Sequence, residues 1–231
     1  HLRQSVYHSC LFGRKYWTTT SMNDLNKREI LADYDDEGVY VYQAFSDFTG
    51  QNAIKHNAFV RGLGFNRGGR MSWIKPSLAW ALYRSGFATK DRQTVLLRIK
   101  ICHEGFIEIL NNCVLSEFQE TISHPDKKHW QHLLDKYEGR VQWDPARDLS
   151  LNKLDHRAIQ IGIKGTLIEN YAERWIVSIE DVSCLAHKIL NAIESQQPMP
   201  NVPVERVYPV SEELRKRLNF DGQISPISIN S

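Results

Sequence analysis

The feature that most constrains the fold of this chain is the order in which strand patterns and helix patterns follow one another. β-Branched, aromatic or alternating apolar residues predict strands over 38–45, 94–102 and 157–163. Apolar residues at helical spacing predict helices over 49–59 and 126–137. The two patterns do not alternate strictly, as they do in parallel β-α-β folds. The sequence therefore predicts an α+β fold, with a mixed or mainly antiparallel sheet and flanking helices.

Two local expectations accompany these elements. Thr49 is suited to cap the first predicted helix, because its hydroxyl can accept a hydrogen bond from the first turn. The DPAR string that begins at Asp144 predicts a turn after a short strand over 140–143, with Pro145 at its second position. Asp144 and Arg147 lie three residues apart across this turn, and a local salt bridge is the expected role of the pair.

The length of 231 residues fits one domain. The composition is typical of soluble globular proteins, and no apolar run is long enough to span a membrane. We expect a single domain over 28–218, a leader or disordered extension over 1–27 and a loose tail over 219–231. An intracellular, cytoplasmic location is expected. If residues 1–21 form a transit segment, which their basic and hydroxyl-rich composition resembles, the compartment is mitochondrial instead.

The four cysteines do not indicate a disulfide framework or a metal site. Cys10, Cys102, Cys113 and Cys184 include no pair at Cys-x-x-Cys spacing. Cys113 and Cys184 fall in apolar helical patterns, where a thiol packs as a small hydrophobic group. We therefore expect reduced thiols, as in a cytosolic protein, and no bound metal.

Basic charge is concentrated in residues 61–100, although the whole chain has a net charge of only +2. This segment has one acidic residue against nine basic ones, so it carries +8 and the other 191 residues carry −6. The nine basic residues are Arg61, Arg67, Arg70, Lys75, Arg84, Lys90, Arg92, Arg98 and Lys100. Clustered arginines beside glycines favour phosphate, because guanidinium groups donate in bidentate fashion and glycines let backbone N–H groups approach an anion.

Arg70, Lys75 and Arg84 are the sharpest candidates for phosphate ligands, because they flank the junction between a glycine-rich loop and a helix. The positive end of the helix that starts there is expected to add to the site. Trp73 lies between the first two and is a candidate to stack on a base.

Polar residues on the other predicted strands have two interpretations each. Arg98 and Lys100 alternate with apolar residues, which indicates the solvated face of a strand. Gln160 lies opposite the apolar positions of its strand, where it contacts either a ligand or solvent, and Arg157 begins the same strand. Glu180 ends a strand, where it is either a catalytic carboxylate or a favourable charge at the start of a helix.

Six long strings of the chain, in this order, resemble those of one family, the domain of unknown function 4291 family. They are ADYDDEGVYVYQAF, RMSWIKPSLAWALYRSGFAT, RVQWDPARDL, RAIQIGI, WIVSIEDVS and VERVYP. Together they cover about residues 28 to 218. Leu31 departs from the family, where an Arg usually precedes ADYDDE. The resemblance implies no activity, but it singles out the Arg70–Ala88 and Trp143–Arg147 strings and so adds Trp143 and Arg147 to the candidate binding residues.

A second similarity is to ADP-ribosyltransferase-like folds, which open with a strand, a helix and an aromatic-rich helix. Those folds use an Arg or His on the first strand and often a late Glu. Here the first strand offers Tyr42 and Gln43, and Glu180 takes the place of the late carboxylate. This similarity implies NAD as a candidate cofactor.

The function that we expect is an enzyme that acts on a nucleotide or nucleic acid, with group transfer from a nucleotide such as NAD. Gln43, Gln160 and Glu180 are its catalytic candidates, which orient or activate the reacting group. The candidates for binding phosphate or nucleotide are Arg70, Trp73, Lys75, Arg84, Trp143, Arg147 and Arg157. Two alternatives stay open: a non-enzymatic nucleic-acid-binding module, and a protein-interaction domain whose basic face meets an acidic partner. No membrane partner is expected, and the oligomeric state is undetermined.

Overall fold

The computed structural model describes residues 27–65, 68–119 and 125–220. The strands are β1 (Leu31–Ala32), β2 (Gly38–Phe45), β3 (Ser72–Ile74), β4 (Val95–Cys102), β5 (Cys113–Leu115), β6 (Gly139–Arg147), β7 (Lys153–Ile163), β8 (Ile176–Asp181) and β9 (Arg206–Val207). The helices are α1 (Asp47–His56), α2 (Leu78–Ser85), α3 (His103–Asn111), α4 (Lys127–Lys136), α5 (Gly165–Asn170), α6 (Ser183–Glu194) and α7 (Glu212–Arg217), and a π-helical turn (Tyr171–Trp175) follows α5.

Two larger sheets and one small one make up the β-structure of these residues. The first sheet has the order β2-β4-β8 and is antiparallel throughout. The second has the order β3-β7-β6-β5, and only its β5–β6 pair is parallel. β1 and β9 form the third, which ties the segment after α6 back to the start of the domain. The α+β class with mixed and antiparallel sheets is therefore confirmed.

The two larger sheets meet at one point, which we call the seam. There Tyr42 of β2 and Lys75, which directly follows β3, exchange a pair of backbone hydrogen bonds of 2.7 and 3.2 Å. Beyond Lys75 the chain turns through Pro76 into α2, which packs against both β2 and β6. The seam thus places the end of β3 and the whole of α2 beside both sheets.

A shared core fills the space between the sheets and the helices on one side. Val95, Leu97, Ile99 and Ile101 of β4 all point into it, as the alternation of this strand predicts. The residues that face them come from both sheets, from α3 and from the π-helical turn; they include Val41, Ile74, Phe106, Val141, Ile161 and Tyr171. On its other face the first sheet is covered by α2 and α6, which pack against Tyr42 and Leu96.

Several local predictions are wrong because longer-range pairing overrides them. α1 begins at Asp47 after Ser46, so Thr49 is already inside the helix. The predicted DPAR turn is part of β6, because pairing with β7 continues to Arg147 and an irregularity at Pro145 absorbs the proline. Cys113 lies in β5 rather than on a helix, since α3 ends at Asn111.

The described residues include both ends of the predicted 28–218 domain. Lys27 already accepts a backbone hydrogen bond from Arg157, and Asn219 and Phe220 are still buried at the other end. The predicted extension, apart from Lys27, and the tail beyond Phe220 lie outside the described residues, as does Cys10.

The expectations about the cysteines and about membrane-spanning segments can be compared with the described residues. Cys102, Cys113 and Cys184 are free thiols. Among the described residues, no helix is long and apolar enough to cross a membrane.

Candidate functional site

A cleft opens where β2 and β3 diverge from the seam, and α2 forms its third wall. Its volume is about 410 Å³. We call it the β2–β3 cleft; its lining is Tyr42, Gln43, Ala44, Phe45, Arg70, Met71, Ser72, Trp73, Lys75, Ala81, Arg84, Ser85 and Gln93. Five of the ten residues predicted as catalytic or binding residues therefore share one cavity: Gln43, Arg70, Trp73, Lys75 and Arg84.

Lys75 forms the floor of the cleft and is held there by the seam. Only 9% of its surface is exposed, and its Nζ donates one long hydrogen bond of 3.4 Å, to the carbonyl of Trp73. Among the described residues, no carboxylate forms an ion pair with this amine. Burial, reinforced by the positive charge of Arg84, lowers the pKa of Lys75 to about 8, although Asp144 opposes the shift. Lys75 therefore supplies a neutral amine at a mildly alkaline pH.

A row of polar side chains continues from Lys75 across the second sheet. Ile74 pairs with Ile161, so the next position places Lys75 opposite Gln160. The Nε2 atom of Gln160 donates to the Asp144 carboxylate at 2.8 Å and to Gln142 at 3.0 Å. Burial raises the pKa of Asp144, while the Gln160 hydrogen bond and Arg84 lower it. Gln160 is thus a buried residue that orients Asp144, and it faces neither solvent nor the apolar core.

Three hydrogen bonds hold the side-chain amide of Gln43 in place. The phenol of Tyr171 donates to its Oε1 at 2.8 Å, and burial keeps this phenol protonated by raising its pKa well above the usual value. The Nε2 atom then donates to the Ser72 hydroxyl at 2.9 Å and to the Trp73 carbonyl at 3.2 Å. Gln43 therefore holds β3 against β2 and sets the positions of the residues on the cleft wall.

Space for the Trp73 side chain comes from a glycine on the neighbouring strand. Gly162 pairs with Trp73, and a Cβ there would lie 3.1 Å from the Trp73 ring and closer still to Met71. Any side chain at this position would push Trp73 and Met71 out of their places. The IQIGI pattern of β7 therefore leaves a gap in the sheet face that an indole ring covers.

Arg70 and Arg84 are exposed residues at the mouth of the cleft. The structure gives neither guanidinium a hydrogen bond or an ion pair with any described residue. Three other exposed basic residues of the segment have partners. Arg61 pairs with Glu169 and Glu173, Arg92 with Asp91, and Lys90 donates to the Arg84 carbonyl. Arg67 lies outside the described residues.

The prediction that Arg98 and Lys100 mark a solvated strand face is wrong. Arg98 has a side chain only 14% exposed, which pairs with Asp33 and with Glu180 and stacks on Tyr40 at 3.4 Å. Lys100 bridges Asp35 and Glu37, with each distance 2.8 Å. The acidic segment that precedes β2 folds over this face of the sheet and neutralises both cations.

The expected contribution of a helix N-terminus to the anion site is also wrong. A carboxylate already occupies the first turn of α2, since Glu205 accepts from the Leu78 N–H at 2.6 Å beside the Ser77 cap. Arg84 lies in the last turn of the same helix, so the cleft meets its other end. Burial raises the pKa of Glu205 to about 7, against the hydrogen bonds from Leu78 and Ser77.

The chain matches one family model, that of a domain of unknown function (DUF4291), over residues 29–208. The match covers most of the chain and every residue that lines the cleft. The chain belongs to this family. No curated protein matches the chain.

Trp143 and Arg147 were predicted to bind the ligand and lie inside the family match, but neither lines the cleft. Trp143 donates from Nε1 to the Leu218 carbonyl at 2.8 Å and packs edge-on against Phe220, so it anchors the C-terminal segment. Arg147 donates to the Leu151 carbonyl at 2.7 Å and stacks on Tyr83 at 3.6 Å. This pairing replaces the salt bridge expected between Arg147 and Asp144.

Arg157 and Glu180 also lie outside the cleft. Arg157 is on the face of β7 opposite to that of Gln160, and it pairs in register with Pro145. Glu180 is exposed on β8, and its carboxylate binds Arg98 at 2.9 Å. Neither residue lines the cavity that holds Lys75.

Sequence reasoning missed Asp144 and Glu205 as members of polar sites. Asp144 looked like half of a local pair with Arg147, but its partner Gln160 comes from a different strand. A weak signal was available: Gln142 and Asp144 alternate with apolar residues on β6, as Gln160 does on β7. Glu205 had no local signal, since it reaches α2 from a segment more than a hundred residues away.

The described ranges contain no group of three or more His, Cys, Asp or Glu side chains that could hold a metal ion. The polar groups of the cleft are cationic or neutral, with Asp144 behind Lys75. Such a set of groups is better suited to an anion than to a cation.

Proposed function

We propose that the protein is an enzyme that binds a nucleotide in the β2–β3 cleft and catalyses a group transfer involving that nucleotide. One observation carries this proposal: Arg70, Arg84, Trp73 and Lys75 line the same cavity, and its two arginines have no ion-pair partner among the described residues. Cations that a fold leaves unpaired at a concave surface are suited to bind an anionic ligand.

The roles of the residues follow from their depth in the cleft. Arg70 and Arg84 are at the mouth, where guanidinium groups can bind phosphate oxygens in bidentate fashion. Trp73 is half-buried in the wall and offers a surface on which a base can stack. Gln43 holds the two strands of the wall together, and the buried Lys75 lines the cavity below them.

NAD is one of the nucleotides that this proposal includes. The proposal does not depend on Glu180, because that carboxylate binds Arg98 away from the cleft. Gln160 acts indirectly, through its hydrogen bond to Asp144.

A concave site with two arginines that no described residue pairs supports a nucleotide over a nucleic-acid backbone. Arg61, Arg92, Arg98 and Lys100 pair with acidic residues of the chain itself, so they do not form an extended cationic surface. A nucleic-acid-binding module usually makes many phosphate contacts and loses affinity steeply with salt.

A thermal-shift screen tests the proposal, with NAD, ATP, GTP and short RNA and DNA at low and high salt. A nucleotide at roughly 100 times its dissociation constant should stabilise the fold by about 2.7 kcal/mol. In a chain of this length such an increase raises the melting temperature by about 5–10 °C. We expect this shift with a mononucleotide or dinucleotide, and we expect it to persist at high salt.

Three variants locate the binding site. Arg70→Ala and Arg84→Ala should each reduce the nucleotide-induced shift, while Arg174→Ala, which removes an exposed arginine outside the cleft, should leave it intact. Equal shifts in all three variants would place the ligand elsewhere. A shift with oligonucleotides alone, abolished by salt, would replace the proposal by the nucleic-acid-binding module.

A further inference from the structure

The amine of Lys75 has a position and surroundings that phosphate binding does not explain. A lysine that serves only to bind phosphate is normally exposed and fully charged, like Arg70 and Arg84 at the mouth. Lys75 is instead nine-tenths buried at the floor of the same cavity, without an ion-pair partner among the described residues. Its one hydrogen-bond acceptor is a backbone carbonyl at 3.4 Å.

Backbone hydrogen bonds hold Lys75 in place, which fixes the position from which its side chain extends. Both its N–H and its carbonyl are used in the seam with Tyr42. Pro76 follows directly, and the next residue, Ser77, caps α2 through its side chain. A nucleophile needs this kind of fixed geometry, because its reacting atom must meet the substrate at a short distance and in the correct direction.

We propose that Lys75 is the nucleophile of a nucleotidyl transfer, and that its Nζ attacks the α-phosphorus of a nucleoside triphosphate bound in the cleft. This inference rests on the nucleotide site proposed above and names its substrate class. A bond forms between Nζ and the α-phosphorus, and the bond from that phosphorus to the bridging oxygen of the β-phosphate breaks. Pyrophosphate leaves and takes the proton that the nitrogen loses, so the product is a lysine phosphoramidate of the nucleoside monophosphate.

The charges around the cleft support a phosphoanhydride as the electrophile. Pyrophosphate gains negative charge as it departs, and Arg70 and Arg84 are two permanent cations at the open side of the cavity, where a leaving group must exit. Arg84 also favours the neutral, nucleophilic form of Lys75. Asp144, oriented by Gln160, raises the pKa of Lys75 and opposes this effect only in part.

Mass spectrometry of the intact full-length chain tests this inference directly. The protein is incubated with ATP, GTP, CTP or UTP in separate reactions, in a mildly alkaline buffer that contains magnesium, and is kept neutral until measured. We expect the mass to increase by one nucleoside monophosphate unit, and peptide mapping of the unchanged wild-type chain to place it on Lys75. The adduct should survive alkali and be lost in mild acid, as phosphoramidates are.

Variants and pH separate this inference from the proposed function. Lys75→Arg should lose the adduct, while Lys188→Arg, which replaces an exposed lysine of α6, should keep both the adduct and the nucleotide-induced thermal shift. The rate of adduct formation should rise with pH and level off above about 8, where Lys75 is neutral. Burial is the main cause of this lowered pKa; Arg84 of α2 lowers it further, and Asp144 of β6 raises it.

Two results would overturn the inference in different ways. If a nucleotide stabilises the wild-type chain but no adduct forms at any pH around 8, the cleft binds nucleotides and Lys75 is not a nucleophile. The same conclusion follows if the adduct maps to another lysine. If no nucleotide stabilises the wild-type chain, the proposed function fails first, and this inference fails with it.

Discussion

Arg98 and Arg84 belong to the same basic segment, but they differ in burial and in the ion pairs that they form. Arg98 lies on β4 between two carboxylates and a tyrosine ring, and most of its side chain is hidden from solvent. Arg84 lies at the mouth of a cavity and has no ion-pair partner among the described residues. Lys100 resembles Arg98 in this respect, and Arg70 resembles Arg84.

This comparison separates structural charges from candidate functional ones. A half-buried cation with acidic partners stabilises the fold, and its removal leaves those partners without compensation. A cation that the fold leaves unpaired contributes little to stability and is available to a ligand. Four predictions test this distinction, and they follow from the largest expected effect to the smallest.

Arg98→Ala should lower the free energy of unfolding by about 3 kcal/mol, because Asp33 and Glu180 lose their shared partner and Tyr40 loses its stacking contact. Urea denaturation measures the change. The matched control is Arg92→Ala, whose pair with Asp91 is almost fully exposed, and a change within about 0.5 kcal/mol is expected there. Equal urea midpoints for the two variants would remove the distinction between a largely buried ion pair and an exposed one.

Lys75→Met should raise the free energy of unfolding by about 2 kcal/mol at neutral pH, because the fold no longer has to keep a charged amine at the floor of the cleft. The folded-state pKa of about 8 lies below the usual 10.5, so charging Lys75 destabilises the folded state at pH below 8. The wild-type chain therefore gains stability as the pH rises from 8 to 10.5, and the variant does not.

Urea denaturation at several pH values measures this difference. Lys188→Met, which replaces an exposed lysine of α6, is the control and should keep the pH dependence of the wild-type chain. A Lys75→Met variant that is less stable than the wild type at neutral pH would show that the amine has a stabilising partner.

Glu205→Gln should raise the free energy of unfolding by about 1 kcal/mol above pH 7. The folded-state pKa of about 7 is higher than the usual 4.5, so the folded chain holds this proton more tightly than the unfolded one. The wild-type chain consequently loses stability as the pH rises from 4.5 to 7, and the variant does not.

Thermal denaturation in buffers across this pH range measures the effect of Glu205. The exposed Glu194→Gln on α6 serves as the control and should behave like the wild-type chain. If Glu205→Gln melts below the wild type at alkaline pH, the carboxylate stabilises the first turn of α2 by more than its burial costs.

Arg84→Ala should change the free energy of unfolding by less than about 0.5 kcal/mol, because it removes an exposed side chain that pairs with no residue in the described ranges. The same variant should nevertheless lose most of the nucleotide-induced thermal shift. Calorimetry should then show that the variant has lost nucleotide binding, while urea denaturation shows that it has kept its stability. A large loss of stability would mean that Arg84, like Arg98, has a structural role.

Local pattern was enough to predict much of the fold. The alternation of β4 gives its core face correctly, and β2 has the predicted bounds Gly38–Phe45. Predictions failed where pairing with a distant strand decides the local structure. The turn propensity of Pro145 predicts a turn, but pairing with β7 keeps this residue in strand β6.

Some residues of the candidate site could likewise be predicted from local sequence, and others could not. Arg70, Trp73, Lys75 and Arg84 come from one continuous string, so the sequence places them near one another without knowledge of the fold. The partners of Arg98 lie 65 and 82 residues away along the chain, and Asp144 is joined to Gln160 across two strands. Such contacts depend on the register of the sheets, which no local string reveals.

The seam has a further consequence for the dynamics of the cleft. The two larger sheets share one exchanged pair of backbone hydrogen bonds, from the Tyr42 amide to the Lys75 carbonyl and from the Lys75 amide to the Tyr42 carbonyl. These two amide protons can exchange with deuterated solvent only when the sheets separate at this point. Their exchange rates are therefore a direct gauge of how often the β2–β3 cleft widens, and a ligand that bridges its walls will slow both together.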